Sequence, residues 1–274
     1  MTPQTSSGPG LSRHVLRSDP GVSYLLHVPA VLSPEPRLVV SIHGASRNVD
    51  VHARLLSVYA EMHGAVLVVP YFPEATFGDY QRLGRIGRGK RADLALHRIV
   101  AEAAAFTGSL AVRIHLFGFS AGAQFAHRYA MAYPQRVAFA VIVDAGRYTM
   151  PNPAEKFPRG IGSTRKLPGL LFDPGAFLRV PMKVYVGADD SAINGSGPRR
   201  KPRPDREPRA MRAQRARHWV DAMNEAGRAL HLESQIACEE LPDRVRSFRS
   251  SVLRAGLAER AFEAMFGPPL VTTE

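Results

Sequence analysis

Short apolar runs alternate with segments of helical spacing along most of this chain. The apolar runs occupy residues 37–43, 65–69, 112–117, 137–144 and 182–186, and several end at a glycine or a proline. Helical spacing of apolar residues is found over residues 51–63, 92–106, 121–133, 206–226 and 248–266. Buried strands that alternate with helices indicate right-handed βαβ crossovers. The sequence therefore predicts a three-layer α/β fold, with a mostly parallel twisted sheet and helices on both faces.

One domain accounts for most of the chain. The 274 residues, 45% of them hydrophobic, suit a single α/β core. We expect a flexible N-terminal tail over 1–18 and one domain over 19–274. A further strand is predicted at 24–28 and a last one at 230–237. Within the domain, the proline-containing segment 145–180 is expected to be irregular and cap-like, and 191–209 to form a basic insertion.

Positive charge is concentrated in one stretch. Nine Lys or Arg residues stand against Asp205 and Glu207 in residues 198–217, so this stretch supplies +7 of the formal net charge of +12. Such a patch suits an anion or a nucleic acid, but no aromatic residue is interleaved to stack on bases. We favour a solvated insertion and do not expect a nucleic-acid partner. Attraction of an acidic substrate is a third use, and the loop 82–91 is basic as well.

The compartment is predicted from three features. Cys238 is the single cysteine, so no intrachain disulfide can form. The N-terminal residues lack the basic and apolar regions of a secretory signal. No apolar run approaches the roughly 18 residues that a membrane span requires. We expect a cytoplasmic protein without a membrane partner, and its oligomeric state stays open.

The motif at 118–122 carries the main functional signal. It reads Gly118-Phe119-Ser120-Ala121-Gly122, a G-x-S-x-G pattern with an apolar strand directly before it and a helix directly after it. A serine on such a sharp strand-to-helix turn needs small neighbours, because the chain passes close to itself. The helix N-terminus then directs free amide groups towards developing negative charge. Ser120 is therefore the candidate nucleophile.

At this point the chain resembles the α/β-hydrolases, and within them the esterase and polyhydroxyalkanoate-depolymerase-like branch. The matching stretches, within residues 20–267, are 42–45 (IHGA), 116–128 (LFGFSAGAQFAHR), 144–151 (DAGRYTMP) and 186–190 (VGADD). The resemblance implies hydrolysis of an acyl substrate without a cofactor or a metal.

The resemblance also assigns roles to individual residues. It implies that the backbone amides of Ala45 and Ala121 form the oxyanion hole, which would hold the charge of the tetrahedral intermediate. It places Asp190 as the triad acid, with Asp189 as the fallback.

Three further residues of the resemblance lie near the substrate. They are His43, Gly44 and Tyr148, which we predict to line the site. For His43, a structural role in orienting the oxyanion loop is favoured over a role as base.

The position of the triad histidine is occupied by another residue. The loop after the last strand, residues 241–248, reads LPDRVRSF, whereas the family pattern is close to L-P-G-x-G-H-S/D-F. In this register Arg246 takes the histidine position, and an arginine cannot act as a base. We expect four other histidines to lie too far from Ser120 or on a helix face to act as the base. They are His115, His127, His218 and His231.

Three hypotheses of function therefore follow from the sequence. The first is a serine hydrolase acting on carboxylic esters through Ser120, with activity impaired because the triad histidine is missing. The alternative is a catalytically inactive α/β-hydrolase-fold protein that binds a small ligand or a protein partner. Anion or nucleic-acid binding through the Arg-rich segment is a second alternative.

Overall fold

A single twisted sheet organises the part of the chain that the computed structural model describes, which is residues 10–33, 35–109, 113–187, 209–233, 236–242 and 247–268. Eight strands within these residues follow the order β1-β2-β4-β3-β5-β6-β7-β8. The pairings of β1 with β2 and of β2 with β4 are antiparallel, and all other pairings are parallel. The strands are β1 (Gly10–Val15), β2 (Ser23–Val28), β3 (Leu38–Ile42), β4 (Val66–Tyr71), β5 (Ile114–Phe119), β6 (Val137–Val143), β7 (Met182–Gly187) and β8 (Ile236–Leu241).

Helices cover both faces of the sheet. They are α1 (Val49–Met62), α2 (Glu74–Phe77), α3 (Ala92–Thr107), α4 (Ala121–Ala132), α5 (Pro174–Phe177), α6 (Arg209–Ala229), α7 (Phe248–Ala255) and α8 (Leu257–Phe266). Helices α3, α4 and α6 bury their apolar residues in one core, while α1, α7 and α8 pack into a second core on the opposite face. The predicted three-layer α/β architecture is therefore confirmed.

The burial of the central strands explains why they could be predicted from runs of apolar residues in the sequence. All five residues of β3 are buried, as expected for a parallel strand that is covered on both faces. Parallel strands place their carboxyl ends at one edge of the sheet, so the loops after β3, β5, β6 and β7 meet there. That edge is where the sequence placed the candidate site.

Three predicted boundaries are wrong. Residues 10–15 were expected to belong to a flexible tail, but they form β1, an edge strand whose alternately exposed side chains gave no apolar run. The last strand was expected at 230–237 but is β8, because charged side chains are tolerated on an edge strand and helix α6 continues to Ala229. The closing helix is divided into α7 and α8 at Gly256, which has a φ of 61°.

The two predicted inserted segments have different outcomes. Between β6 and β7 the chain is largely irregular, with α5 as its only helix among the described residues. The basic insertion at 191–209 lies outside the described residues except Arg209, where α6 begins. Among the helices that the structure describes, none combines the length and hydrophobicity needed to cross a membrane.

Candidate active site

Ser120 stands on a strained turn between β5 and α4. Its φ of 55° and ψ of −111° lie outside the regions that a non-glycine residue adopts easily. The Ser120 amide donates to the carbonyl of Val143 at 2.8 Å, which fixes the turn to the neighbouring strand β6. The Ser120 hydroxyl forms no hydrogen bond with the residues that the structure describes, and the residue is partly exposed. This geometry presents the hydroxyl at the carboxyl edge of the sheet.

Two glycines make this turn possible. A Cβ on Gly118 would collide with the carbonyl of Gly122, and a Cβ on Gly122 would collide with the carbonyls of Ile42 and His43. Both obstacles are backbone atoms, which cannot rotate away as a side chain can. The glycines of the motif therefore allow α4 to begin directly against the end of β3.

The loop after β3 lies beside Ser120. A methyl group placed on Gly44 would be 3.6 Å from the Cβ of Ser120 and 3.4 Å from the carbonyl oxygen of Phe119. Arg47 holds this loop, because its guanidinium donates to the carbonyl of Ala45 at 3.0 Å and to that of Phe72 at 2.9 Å. Gly44 therefore lies beside Ser120, and its role in lining a substrate site stays a prediction.

The structure describes the backbone around both residues that are predicted to donate to the oxyanion. Ala121 is the first residue of α4, where no intrahelical acceptor exists for its amide. Ala45 is an exposed residue within the turn that the Arg47 amide closes onto the carbonyl of Gly44 at 3.0 Å. The positive end of the α4 dipole also faces this edge of the sheet.

His43 packs inside the protein against the loop that follows β3. It does not line a substrate site, which corrects the prediction of a substrate-lining role for His43. The side chain is fully buried. Its Nδ1 bonds the carbonyl of Gly44 at 2.9 Å, and its Nε2 accepts from the amide of Phe72 at 3.1 Å. Burial lowers the pKa of His43 to about 4. With both nitrogens occupied inside the protein, this ring holds the loop and cannot accept a proton from Ser120.

The predicted acid and the predicted histidine position both fall in loops that the structure does not describe. Asp190 and its fallback Asp189 lie outside the described residues, and so does Arg246. The structure does describe the residues that lead to these loops. Strand β7 ends at Gly187, directly before the predicted acid, and α7 begins after the capping box of Ser247 and Ser250.

Asp144 is a residue that sequence reasoning missed. It follows β6 with a φ of 51°, a left-handed conformation that Asp adopts more readily than most residues. Its carboxylate accepts from the Gly187 amide at 2.9 Å, and its own amide donates to the carbonyl of Tyr185 at 2.9 Å. Asp144 therefore ties the end of β7 to the end of β6, next to Ser120. The available signal was an aspartate at the carboxyl end of a predicted strand.

All ten histidines lie in the described residues, and none of them hydrogen-bonds to Ser120. His127 is buried between the carbonyl of Ala123 and the amide of Thr149, and burial lowers its pKa well below the ordinary value. His115 packs against Phe266 with a ring distance of 4.5 Å. His218 and His231 are exposed, on α6 and in the turn after it.

Tyr148 lies in the irregular segment after β6. It is 9% exposed and stacks on Trp219, with 5.0 Å between the ring centroids. Its side chain also lines a surface cavity of about 430 Å³ beside α4. The predicted substrate-lining position thus contacts a cavity, although that cavity is displaced along α4 from Ser120.

Comparisons with known proteins identify the fold. No protein-family model matches the chain, and no curated protein matches it in sequence. Among solved structures, poly(aspartic acid) hydrolase-1 from Sphingomonas sp. KT-1 is similar, with a TM-score of 0.72 and 22% identity over 93% of this chain and 98% of that chain.

Two further solved structures show the same likeness. A poly(3-hydroxybutyrate) depolymerase from Bordetella parapertussis has a TM-score of 0.70 and 21% identity over 93% of this chain and 94% of that chain. A thermostable esterase has a TM-score of 0.55 and 18% identity over 95% of this chain and 63% of that chain. Together with the sheet order, these likenesses show that the chain has the α/β-hydrolase fold.

Proposed function

We propose that this protein is a serine hydrolase of carboxylic esters, which transfers an acyl group to water through Ser120 and whose activity is impaired for lack of a triad histidine. The observation that carries the proposal is the strained conformation of Ser120 at the start of α4. Strain of this kind persists only where the surrounding structure imposes it, and it is concentrated at functional sites.

The proposed reaction assigns one step to each group. The Ser120 hydroxyl attacks the ester carbonyl, and the amides of Ala121 and Ala45 hold the oxyanion of the tetrahedral intermediate. Asp190 is the proposed acid of the triad. Arg246, in the proposed histidine position, stays protonated and cannot accept the serine proton. An oxyanion hole and substrate binding alone leave a rate of about 10³–10⁴-fold over water.

The similar structures support acyl chemistry. By their names, two of them act on poly(aspartic acid) and on poly(3-hydroxybutyrate). Both polymers are joined by acyl bonds, whose cleavage requires a tetrahedral intermediate. The substrate proposed for this chain therefore carries an acyl carbonyl in an ester, and the alcohol and acyl groups are left open.

The second candidate is a catalytically inactive protein on the same scaffold. The histidines favour it, because all ten lie in described residues without a hydrogen bond to Ser120. On this alternative the region around Ser120, at the end of β5, binds a small ligand or a protein partner. A cytoplasmic location and the absence of a nucleic-acid or membrane partner remain predictions.

Hydrolysis of p-nitrophenyl butyrate by the full chain tests the first candidate against the second. The comparison uses the unchanged protein, Ser120→Ala and the control Ser57→Ala, whose hydroxyl bonds the carbonyl of Arg54 on α1. We expect slow hydrolysis that Ser120→Ala abolishes and Ser57→Ala preserves. Equal rates in all three proteins would contradict the proposed nucleophile and favour the binding protein.

A further inference from the structure

Five arginines surround the cavity of about 430 Å³ that Tyr148 lines. They come from four different parts of the chain, namely the turn after α2, helix α4, the segment between β6 and β7, and helix α6. The arginines are Arg82, Arg128, Arg147, Arg159 and Arg215. Glu155 is the one acidic residue that lines the cavity among the described residues, and it lies 3.8 Å from Arg159. Among the described residues that line this cavity, arginines therefore outnumber acidic residues by five to one.

Arg128 is the most unusual of the five. Its side chain is 1% exposed, yet among the described residues it donates only to neutral oxygens, namely Thr149 Oγ1 at 2.9 Å, the carbonyl of Gln81 at 2.6 Å and Gln124 Oε1 at 3.3 Å. Burial, followed by the charge of Arg82, lowers the pKa of Arg128 to about 9. A buried cation without a carboxylate partner is costly. An anion in the cavity would offset this cost.

Tyr148 provides a second, independent observation. Its hydroxyl is buried and has no hydrogen-bond partner among the residues that the structure describes. A buried hydroxyl without a partner is destabilising, and a polar ligand atom within reach would satisfy it. Burial raises the pKa of Tyr148; Cys238 and Asp144 add to this rise, and Arg215 and Arg212 oppose it.

The positive surface continues into a second cavity. This cavity has a volume of about 530 Å³ and shares Arg82 and Pro158 with the first. It adds Arg85 and Arg88, while its acid, Asp79, is already paired with Arg82 and Arg85 at 2.9 and 2.7 Å. Because they share two lining residues, the two cavities are neighbours, and we refer to them together as the arginine-lined groove.

One residue of the groove, Arg128, belongs to α4, the helix that follows Ser120. Gln124 and Arg128 lie one and two turns into α4, about 6 and 12 Å along the axis from Ser120. A Cβ on Gly146, directly before Arg147, would lie 3.4 Å from the Nε2 of Gln124. Arg128, which lines the groove, is thus about 12 Å along α4 from Ser120, so only a substrate of several units spans both.

We propose that this arginine-lined groove is a subsite for the carboxylate groups of an acidic acyl substrate, preferably an oligomer. Arginine binds carboxylates through two parallel N–H donors, and Tyr148 would add a further donor. A single-stranded nucleic acid is the less favoured ligand, because it requires exposed aromatic rings for stacking and Tyr148 is buried. The binding site stands on the contacts above, and its connection to hydrolysis rests on the proposed function.

Isothermal titration of the Ser120→Ala protein with penta-aspartate tests the subsite without any turnover. Penta-asparagine, which has the same length and backbone, is the matched neutral ligand. We expect penta-aspartate to bind, penta-asparagine not to bind, and the affinity to fall at least about fivefold when the salt concentration rises from 50 to 300 mM. Equal binding of the two peptides would overturn the proposal, as would tighter binding of a decathymidylate.

Substitutions locate the site. Arg147→Gln with Arg159→Gln changes two exposed residues of the groove, and we expect about tenfold weaker binding. The control Arg254→Gln changes an exposed arginine on α7, which packs on the opposite face of the sheet. Tyr148→Phe should weaken binding while leaving the melting temperature of the free protein unchanged or higher, since its hydroxyl makes no bond.

The remaining outcomes separate this inference from the proposed hydrolase. If Arg199→Gln with Arg200→Gln abolishes binding and the groove variants do not, the ligand binds the basic insertion and the inference is wrong. Ester hydrolysis without peptide binding would overturn the subsite and leave the hydrolase intact. Peptide binding without Ser120-dependent hydrolysis would contradict the proposed hydrolase and leave the subsite intact.

Discussion

The contact between α4 and the end of β3 makes Gly122→Ala a sharp test of the elbow. The added Cβ would meet two backbone carbonyls, of Ile42 and His43, at distances that real Cβ atoms do not reach. Overpacking of this kind costs about 1–3 kcal/mol, and rigid backbone obstacles place this variant at the upper end. For a domain of this size, about 3 kcal/mol corresponds to a fall in the melting temperature of about 6–12 °C.

Differential scanning calorimetry measures that fall directly. The control is Gly21→Ala, where a Cβ would meet only side-chain atoms, the nearest being a carboxylate oxygen of Asp19 at 3.4 Å. We expect the control to melt within about 1 °C of the unchanged protein. A Gly122→Ala protein that melts as the unchanged protein does would refute the packing argument, and with it the close approach of the oxyanion loop to Ser120.

Three further changes have defined outcomes. Trp219→Phe removes a 2.7 Å hydrogen bond to the carbonyl of Thr149 and should lower the free energy of unfolding by about 2–4 kcal/mol in urea, followed by circular dichroism. Burial lowers the pKa of His97 to about 4 from 6.5, so the unfolded chain binds more protons and stability is lost as the pH falls below 6.5. His97→Phe should therefore flatten the fall of unfolding free energy below pH 6.5, and an unchanged slope would contradict this. Arg47→Gln should lower Ser120-dependent hydrolysis about tenfold with little change in KM, because Ala45 loses its anchor; a change confined to KM would argue against that role.

The sheet was predictable from sequence wherever strands are buried on both faces. Strand β3 and strand β5 are mainly apolar, so their type and order could be predicted directly. The edge strands β1 and β8 could not, because an edge strand exposes one side and tolerates charged residues such as Glu239 and Glu240. Edge pairing depends on a neighbour distant in the chain, which a local pattern does not record.

The site was predictable to the extent that its geometry is local. Ser120, Gly44 and the donors on Ala45 and Ala121 follow from two short motifs attached to strand ends. The burial of His43 did not follow, since it depends on the amide of Phe72, which lies on another loop. The arginine groove was also missed as a unit, because its members come from four separate segments that meet only in the folded chain.

The exchange Arg246→His tests the central claim, that Ser120 is an elbow nucleophile without a base. The assay is hydrolysis of p-nitrophenyl butyrate at pH 8 by the unchanged protein, by Arg246→His, and by Arg246→His combined with Ser120→Ala. We predict that Arg246→His raises kcat about 10²–10⁴-fold, the usual contribution of a general base, and that the added Ser120→Ala abolishes the gain. An unchanged protein that already turns over at an ordinary enzymatic rate, and that Arg246→His slows or leaves unaltered, would contradict the claim.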